Sequence, residues 1–189
     1  EVDAPDVTIV IPAHNKFEVT YHCLAALLFA HNRASFEVVL VDDGSSDETV
    51  EAERFVSGVR VVRHERALGF VDACNAGAAL ARGRYLAFLN NDTEPTAGWL
   101  DELIRTFVEF DGVGLAGSKL VYGDGRLQEA GGLIWRTGNP SLVGRKGNAE
   151  DPRYNYLRQT DYVSGAAVLL PLELWREVGG FSPEFAPGY

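Results

Sequence analysis

The stretch Phe36-Glu37-Val38-Val39-Leu40-Val41-Asp42-Asp43-Gly44-Ser45-Ser46-Asp47 decides the fold class. An apolar run stopped abruptly by acids, glycine and serines reads as a buried strand ending in a loop. The Ser and Asp residues then cap a helix expected from about Asp47 to Val56. Upstream, Val7–Pro12 is a similar short strand, and Phe17, Tyr21, Leu24 and Leu28 recur at helical spacing until the polar stop His31-Asn32. Downstream, Val59–Arg63 is a third strand, Ala67–Arg82 a helix of small residues, and Tyr85–Leu89 a fourth strand that runs into Asn90-Asn91-Asp92. Strands and helices in alternation predict βαβ units and an α/β fold with a mainly parallel sheet flanked by helices.

The second half is looser. Trp99, Leu103, Phe107 and Phe110 form a helical stripe, and Val113–Ala116 reads as a strand. Residues 123 to 158, rich in Gly, Asn, Pro and Arg, predict long loops around the apolar piece Gly132–Trp135, with Arg136–Lys146 a solvated basic stretch. Val163–Leu170 is a further strand, and Pro171 begins a helix to Val178.

The 189 residues suit one domain. A formal net charge of -10 argues against nucleic acid as a partner, because backbone binding requires concentrated Lys and Arg. Cys23 and Cys74 stand in no metal-binding spacing, so they read as buried free thiols in a reducing cytoplasm. The apolar runs Leu24–Ala30 and Ala166–Leu170 fall short of the roughly 20 residues of a membrane span, which leaves membrane association to regions outside this chain.

In parallel sheets ligands bind beyond the carboxyl ends of the strands, near the point where strand order reverses. Asp42-Asp43 and Asn91-Asp92 both fall on that edge. A carboxylate at a strand end can accept the N3–H of uracil or thymine, or it can simply cap a turn. A divalent cation on a diphosphate needs only one or two protein carboxylates, and Asp92 is placed for that, although an Asx-type turn is the plainer alternative. Gly69 can expose backbone N–H groups to phosphate, while close packing explains the small residues around it equally well.

The series Ile11-Pro12-Ala13-His14-Asn15, Val41-Asp42-Asp43-Gly44-Ser45-Ser46-Asp47-Glu48-Thr49, Gly69…Asn75-Ala76-Gly77 and Tyr85-Leu86-Ala87-Phe88-Leu89-Asn90-Asn91-Asp92 resembles glycosyltransferase family 2. The later pieces Gly123–Gly132 and Val163–Ala166 are similar to its bacterial rhamnosyl- and galactofuranosyl-type members. The resemblance implies a GT-A (Rossmann-like) fold with residues 1–95 as nucleotide-binding half and 96–189 as a looser sugar- and acceptor-side half. It implies a UDP- or dTDP-sugar donor, a saccharide or glycolipid acceptor, and Mg2+ or Mn2+. It places Pro12, Ala13 and Asn15 beside the base, Asp43 on the pyrimidine N3–H with Asp42 adjacent, and Gly69 and Asn75 at the nucleotide. Asn91 then lies near the ribose, Asp92 on the metal, and Gly165 and Ala166 beside the donor sugar. The work is expected in the cytoplasm, at the inner face of the membrane when the acceptor is lipid-linked. The family's general base is expected after Tyr189, with Glu184 the nearest acid on this side. Two rivals remain at this point: a nucleotide-sugar-binding module without activity, favoured by Asn91 in place of an acid, and a sugar nucleotidyltransferase, disfavoured by the lack of glycine in Ala13–Phe17.

Overall fold

The computed structural model describes residues 5–186. The first half runs β1 (Val7–Ala13), α1 (Phe17–Phe29), β2 (Phe36–Asp42), α2 (Ala52–Phe55), β3 (Val59–Arg63), α3 (Phe70–Ala78) and β4 (Tyr85–Leu89). The second adds α4 (Trp99–Glu109), β5 (Ala116–Gly117), β6 (Leu120–Val121), β7 (Leu127–Glu129), β8 (Gly132–Ile134), β9 (Pro140–Leu142), β10 (Ala167–Pro171) and α5 (Leu172–Val178). Six strands form one sheet in the order β3-β2-β1-β4-β10-β5, while β6-β7 and β8-β9 make two small separate pairs. β1 to β4 pair in parallel, and β10 runs antiparallel to both β4 and β5.

Alternation along the strands sends successive side chains to opposite faces. Ile9, Ile11, Leu40, Ala87 and Leu89 pack with Cys23 and Leu27 of α1 and with Trp99, Leu100 and Leu103 of α4. Val10, Val39, Val41, Leu86 and Phe88 pack with Ala73, Cys74 and Ala78 of α3 and with Trp175 of α5. Helix α3 lies close to the sheet because Gly77 has no Cβ; a methyl there would run into Val10 and stand 2.9 Å from Cγ2 of Val41.

The boundaries shift where side chains compete for backbone. The helix expected over Ala67–Arg82 spans only Phe70–Ala78: Gly69 precedes it at φ +98°, a non-helical conformation in which the N–H groups of Leu68 and Gly69 are held by Asp43. The helix expected at Asp47–Val56 is a 3-10 turn, Glu48–Glu51, followed by the single turn of α2. The strand expected at Val163–Leu170 begins at Ala167, because Ser164 and Ala166 bond elsewhere, and β5 is two residues set by its pairing to Val168 and Leu169. Pro171 ends β10 and sits at the N-cap of α5 rather than inside it. Both cysteines are free and buried, as expected.

Candidate functional site

The chain leaves β1 toward β2 and β3 on one side and reaches β4 on the other, so strand order reverses between β1 and β4. A cavity of about 360 Å3 lies at that crevice. Its wall includes Pro12, Ala13 and His14 from the end of β1, Asp43 after β2, Gly69 and Phe70 at the start of α3, and Asn90 and Asn91 after β4. A larger hollow, about 950 Å3, follows the free edge of β5 between Phe110, Leu115, Tyr156 and Val163. Three of its charged groups are engaged with the protein, Lys119 Nζ with Ala149 O and Asn155 Oδ1, Arg158 with Arg153 O, and Asp161 Oδ2 with Ile134 N, which leaves Asp111 as its one unpaired charged side chain among the described residues. The chemistry therefore concentrates in the smaller cavity.

Asp43 is buried, and three donors converge on it. Oδ1 accepts from His64 Nδ1 at 2.7 Å and from Leu68 N at 2.9 Å, and Oδ2 accepts from Gly69 N at 2.8 Å. Burial pushes its carboxyl pKa up, but the hydrogen bonds from His64, Leu68 and Gly69 outweigh burial and hold it below the usual carboxylate range. Asp43 is thus an anion with capacity on Oδ2 for one further donor. The loop closes tightly around it. Gly44 has φ +70°, and a Cβ there would collide with the Arg66–Ala67 backbone, so only glycine fits.

Asp42 is placed differently from the expectation of a nucleotide contact. It is 1% exposed and off the cavity wall, with Oδ2 on Arg63 Nη1 at 2.5 Å and Oδ1 on Ser45 N at 2.8 Å. It braces the loop that presents Asp43. Asn15 also stays off the wall; its Oδ1 accepts from Ser46 N at 2.8 Å, and its own N–H reaches Ser45 Oγ, tying the β1 loop to the β2 loop. Asn75, expected at the nucleotide, uses its amide on Phe181, donating to its carbonyl at 2.9 Å and accepting from its N–H at 3.0 Å. It fastens the C-terminal segment to α3, inside a cluster of Phe70, Phe88, Trp175 and Phe181 rings.

Asn91 lies on the wall with Nδ2 held by Thr20 Oγ1 at 2.9 Å. Asp92, next along the turn, is exposed and pairs with no cation among the described residues. No group of three or more His, Cys, Asp or Glu side chains gathers as a metal site among the described residues. One free carboxylate beside an amide oxygen does fit a hard cation whose other ligands are phosphate oxygens and water. Gly165 and Ala166 stand on the same rim: Ala166 O accepts from Asn90 N at 2.8 Å, and a Cβ on Gly165 would lie 3.7 Å from the Phe70 ring. Glu184 is exposed in a short 3-10 turn and does not line the cavity. His64, Arg63 and Thr20 are the supporting residues that sequence reading missed. Only Arg63-His64, at the carboxyl end of the third strand, carried a signal, as polar residues on the ligand edge.

A family model, Glycosyl transferase family 2, matches residues 8–168. The chain belongs to this family. It is 30% identical over 191 residues to the O-antigen biosynthesis protein RfbC of Myxococcus xanthus, covering 96% of this chain and 15% of that protein. It is 29% identical over 186 residues to the pre-mycofactocin glycosyltransferase of Mycobacterium tuberculosis, covering 97% of this chain and 37% of that one. The chain therefore spans well under half the length of these relatives. Its fold is similar, with TM-score 0.67 at 20% identity over 94% of this chain and 48% of the other, to the Pyrobaculum calidifontis mannosyltransferase PcManGT, solved in complex with GDP-Man and Mn2+. The GT-A architecture of a mostly parallel six-stranded sheet flanked by helices is common to both.

Proposed function

We propose that this chain is the donor-binding part of an inverting glycosyltransferase that takes a UDP- or dTDP-sugar and passes the sugar to a saccharide or glycolipid acceptor. The observation that carries the reading is the pairing, on one cavity at the switch point, of an ionised Asp43 with the Asn90-Asn91-Asp92 turn. The single acceptor position left on Asp43 Oδ2 matches one N–H, as the N3–H of uracil or thymine provides; guanine brings an N1–H and an amino group together. Asn91 offers a neutral side chain to ribose hydroxyls, and Asp92 would hold Mg2+ or Mn2+ together with donor phosphates.

A bound divalent cation supplies charge neutralisation for the departing nucleoside diphosphate. The chain's own groups orient the donor: Asp43 fixes the base, the Gly69 end of α3 presents backbone to the cavity, and Phe70 with Gly165 bounds the space beyond Asn90. Asp43 is the one carboxylate among the lining residues, and three donors tie it down, so it does not act as the base for the acceptor hydroxyl. No helix among the described residues is long and apolar enough to cross a membrane. A glycolipid acceptor would bring the chain to a cytoplasmic membrane face through other contacts.

Calorimetric titration with UDP, dTDP and GDP, with and without Mn2+, tests the reading. The expected result is binding of UDP or dTDP that Mn2+ strengthens by at least about tenfold, with GDP weaker. Asp92→Ala should remove the Mn2+ effect while circular dichroism stays unchanged. Absence of metal-dependent binding to any of the three would overturn the proposal.

A further inference from the structure

Glu129 closes β7 and is 3% exposed. No Lys or Arg pairs with it among the described residues, an expensive arrangement for a carboxylate unless hydrogen bonds hold it. One such bond is present: Oε1 accepts the Ser164 N–H at 3.1 Å. The other oxygen has no hydrogen-bond partner among the described residues. Glu129 thus commits Oε1 to the backbone at Ser164.

Ala167, the first residue of β10, pairs with Leu89, the last of β4. Residues 164–166 therefore stand over the carboxyl end of β4, on the rim that carries Asn90 and Asn91. Two further hydrogen bonds continue the connection. Ser164 Oγ accepts from Ala166 N at 3.2 Å, and Ala166 O accepts from Asn90 N at 2.8 Å. Between them Gly165 is exposed and faces the ring of Phe70, itself a wall residue of the cavity. A glycine at the apex has no side chain to anchor it, so the loop's place is set by hydrogen bonds at its two ends, one from Asn90 and one to Glu129.

We infer that Glu129 is a positioning residue for the sugar of the donor. It acts through residues 164–166, which it fixes beside Phe70 and against the Asn90 turn, where the group attached beyond the diphosphate must lie. The inference rests on the donor-binding reading given above. It separates the site into a part that reads the nucleoside diphosphate, held by Asp43 and the Asn91-Asp92 turn, and a part that reads the sugar, held by Glu129.

The test compares, in Mn2+, the affinities of the chain for UDP and dTDP with those for UDP-glucose, UDP-galactose and dTDP-rhamnose. The quantity followed is the ratio of sugar-nucleotide to parent-diphosphate affinity, for the pair in which wild type shows the largest difference. Glu129→Ala should change that ratio by about three- to tenfold, the worth of one ordinary hydrogen bond, and leave UDP or dTDP affinity within about twofold. Glu129→Gln keeps an acceptor for Ser164 N–H and should restore most of the ratio. Glu129→Asp draws the carboxylate back by one methylene from the Ser164 N–H, so it carries the test if Glu129→Ala does not fold. An unchanged ratio in Glu129→Ala, or in the variant that replaces it, even with a lowered Tm, would make Glu129 merely structural and overturn the inference. So would equal losses for diphosphate and sugar nucleotide, or a wild type that does not distinguish the two. A wild type that binds neither UDP nor dTDP would instead bring down the donor-binding reading itself, and this inference with it.

Discussion

Replacing Asp43 by Asn preserves shape and removes charge, and the structure sets the size of the effect. The carboxylate receives two donors on Oδ1, His64 Nδ1 and Leu68 N, and one on Oδ2, Gly69 N. In the amide one of these positions becomes an NH2 group, which cannot accept. Oriented to keep the two bonds on Oδ1, it faces the Gly69 N–H donor to donor, at about 1–3 kcal/mol for the unsatisfied group. The two remaining bonds fall from charge-assisted to neutral, about 1 kcal/mol each. Because these terms share one side chain they do not add fully, and a net loss of about 2–4 kcal/mol is expected. In a chain of this size that lowers Tm by very roughly 5–15 °C, measurable by calorimetry or urea unfolding. The pH dependence supplies a second check. Asp43 has its folded-state pKa lowered, so its stabilisation is complete above its unfolded pKa of about 4 and is lost as pH falls through the folded value. The gap between wild type and Asp43→Asn should therefore be widest near neutral pH and close in acid. A variant within about 0.5 kcal/mol of wild type at pH 7, or a gap that persists at low pH, would refute this account of the loop.

Three other outcomes follow from the same geometry. Asp42→Asn should destabilise by about 1–3 kcal/mol through the Arg63 and Ser45 contacts, yet leave UDP affinity of the folded protein within about twofold, because Asp42 lies behind the wall; a selective loss of nucleotide affinity in calorimetry would contradict that. Gly77→Ala forces a methyl between Val10 and Val41 and should cost about 1–3 kcal/mol in urea unfolding, against a gain expected for an exposed helical site. Burial pushes the Cys23 thiol up to about 11 and raises that of Cys74 further, so neither should react with a disulfide reagent at pH 8 in the native protein, while both should react in urea.

The order and type of the first four strands were legible because each is a short apolar run ended by polar residues, and the carboxyl-end rule then placed Asp43 and Asn91 on one edge. What was not legible depends on partners remote in the chain. Asn75 meets Phe181 106 positions away, and Glu129 meets Ser164 35 positions away. Composition around these residues carries no trace of those contacts. The helix expected at Ala67–Arg82 was overextended for a related reason. Its alanines favour helix, but Gly69 takes φ +98° and a carboxylate 25 positions upstream holds the N–H groups of Leu68 and Gly69 in that non-helical approach. Tertiary hydrogen bonding overrode a correct local propensity.

The adjacent acids Asp42 and Asp43 show how one strand assigns two roles. Even-numbered Val38 and Leu40 of β2 face the layer of α1 and α4, whereas Val39 and Val41 face the layer of α3. Continuing that alternation by one residue each, Asp42 belongs to the first face and Asp43 to the second, where α3 begins at the cavity. Asp42 also pairs across the sheet with Arg63, whose guanidinium neutralises it, and so it is consumed in bracing the loop. Asp43, past the last paired residue, is free to meet the helix start and His64. A slip of β2 by one residue would exchange the two acids and bury Asp43 against Arg63. The parallel register on both sides of β2, seven pairs with β1 and five with β3, is thus what sets which acid faces the cavity.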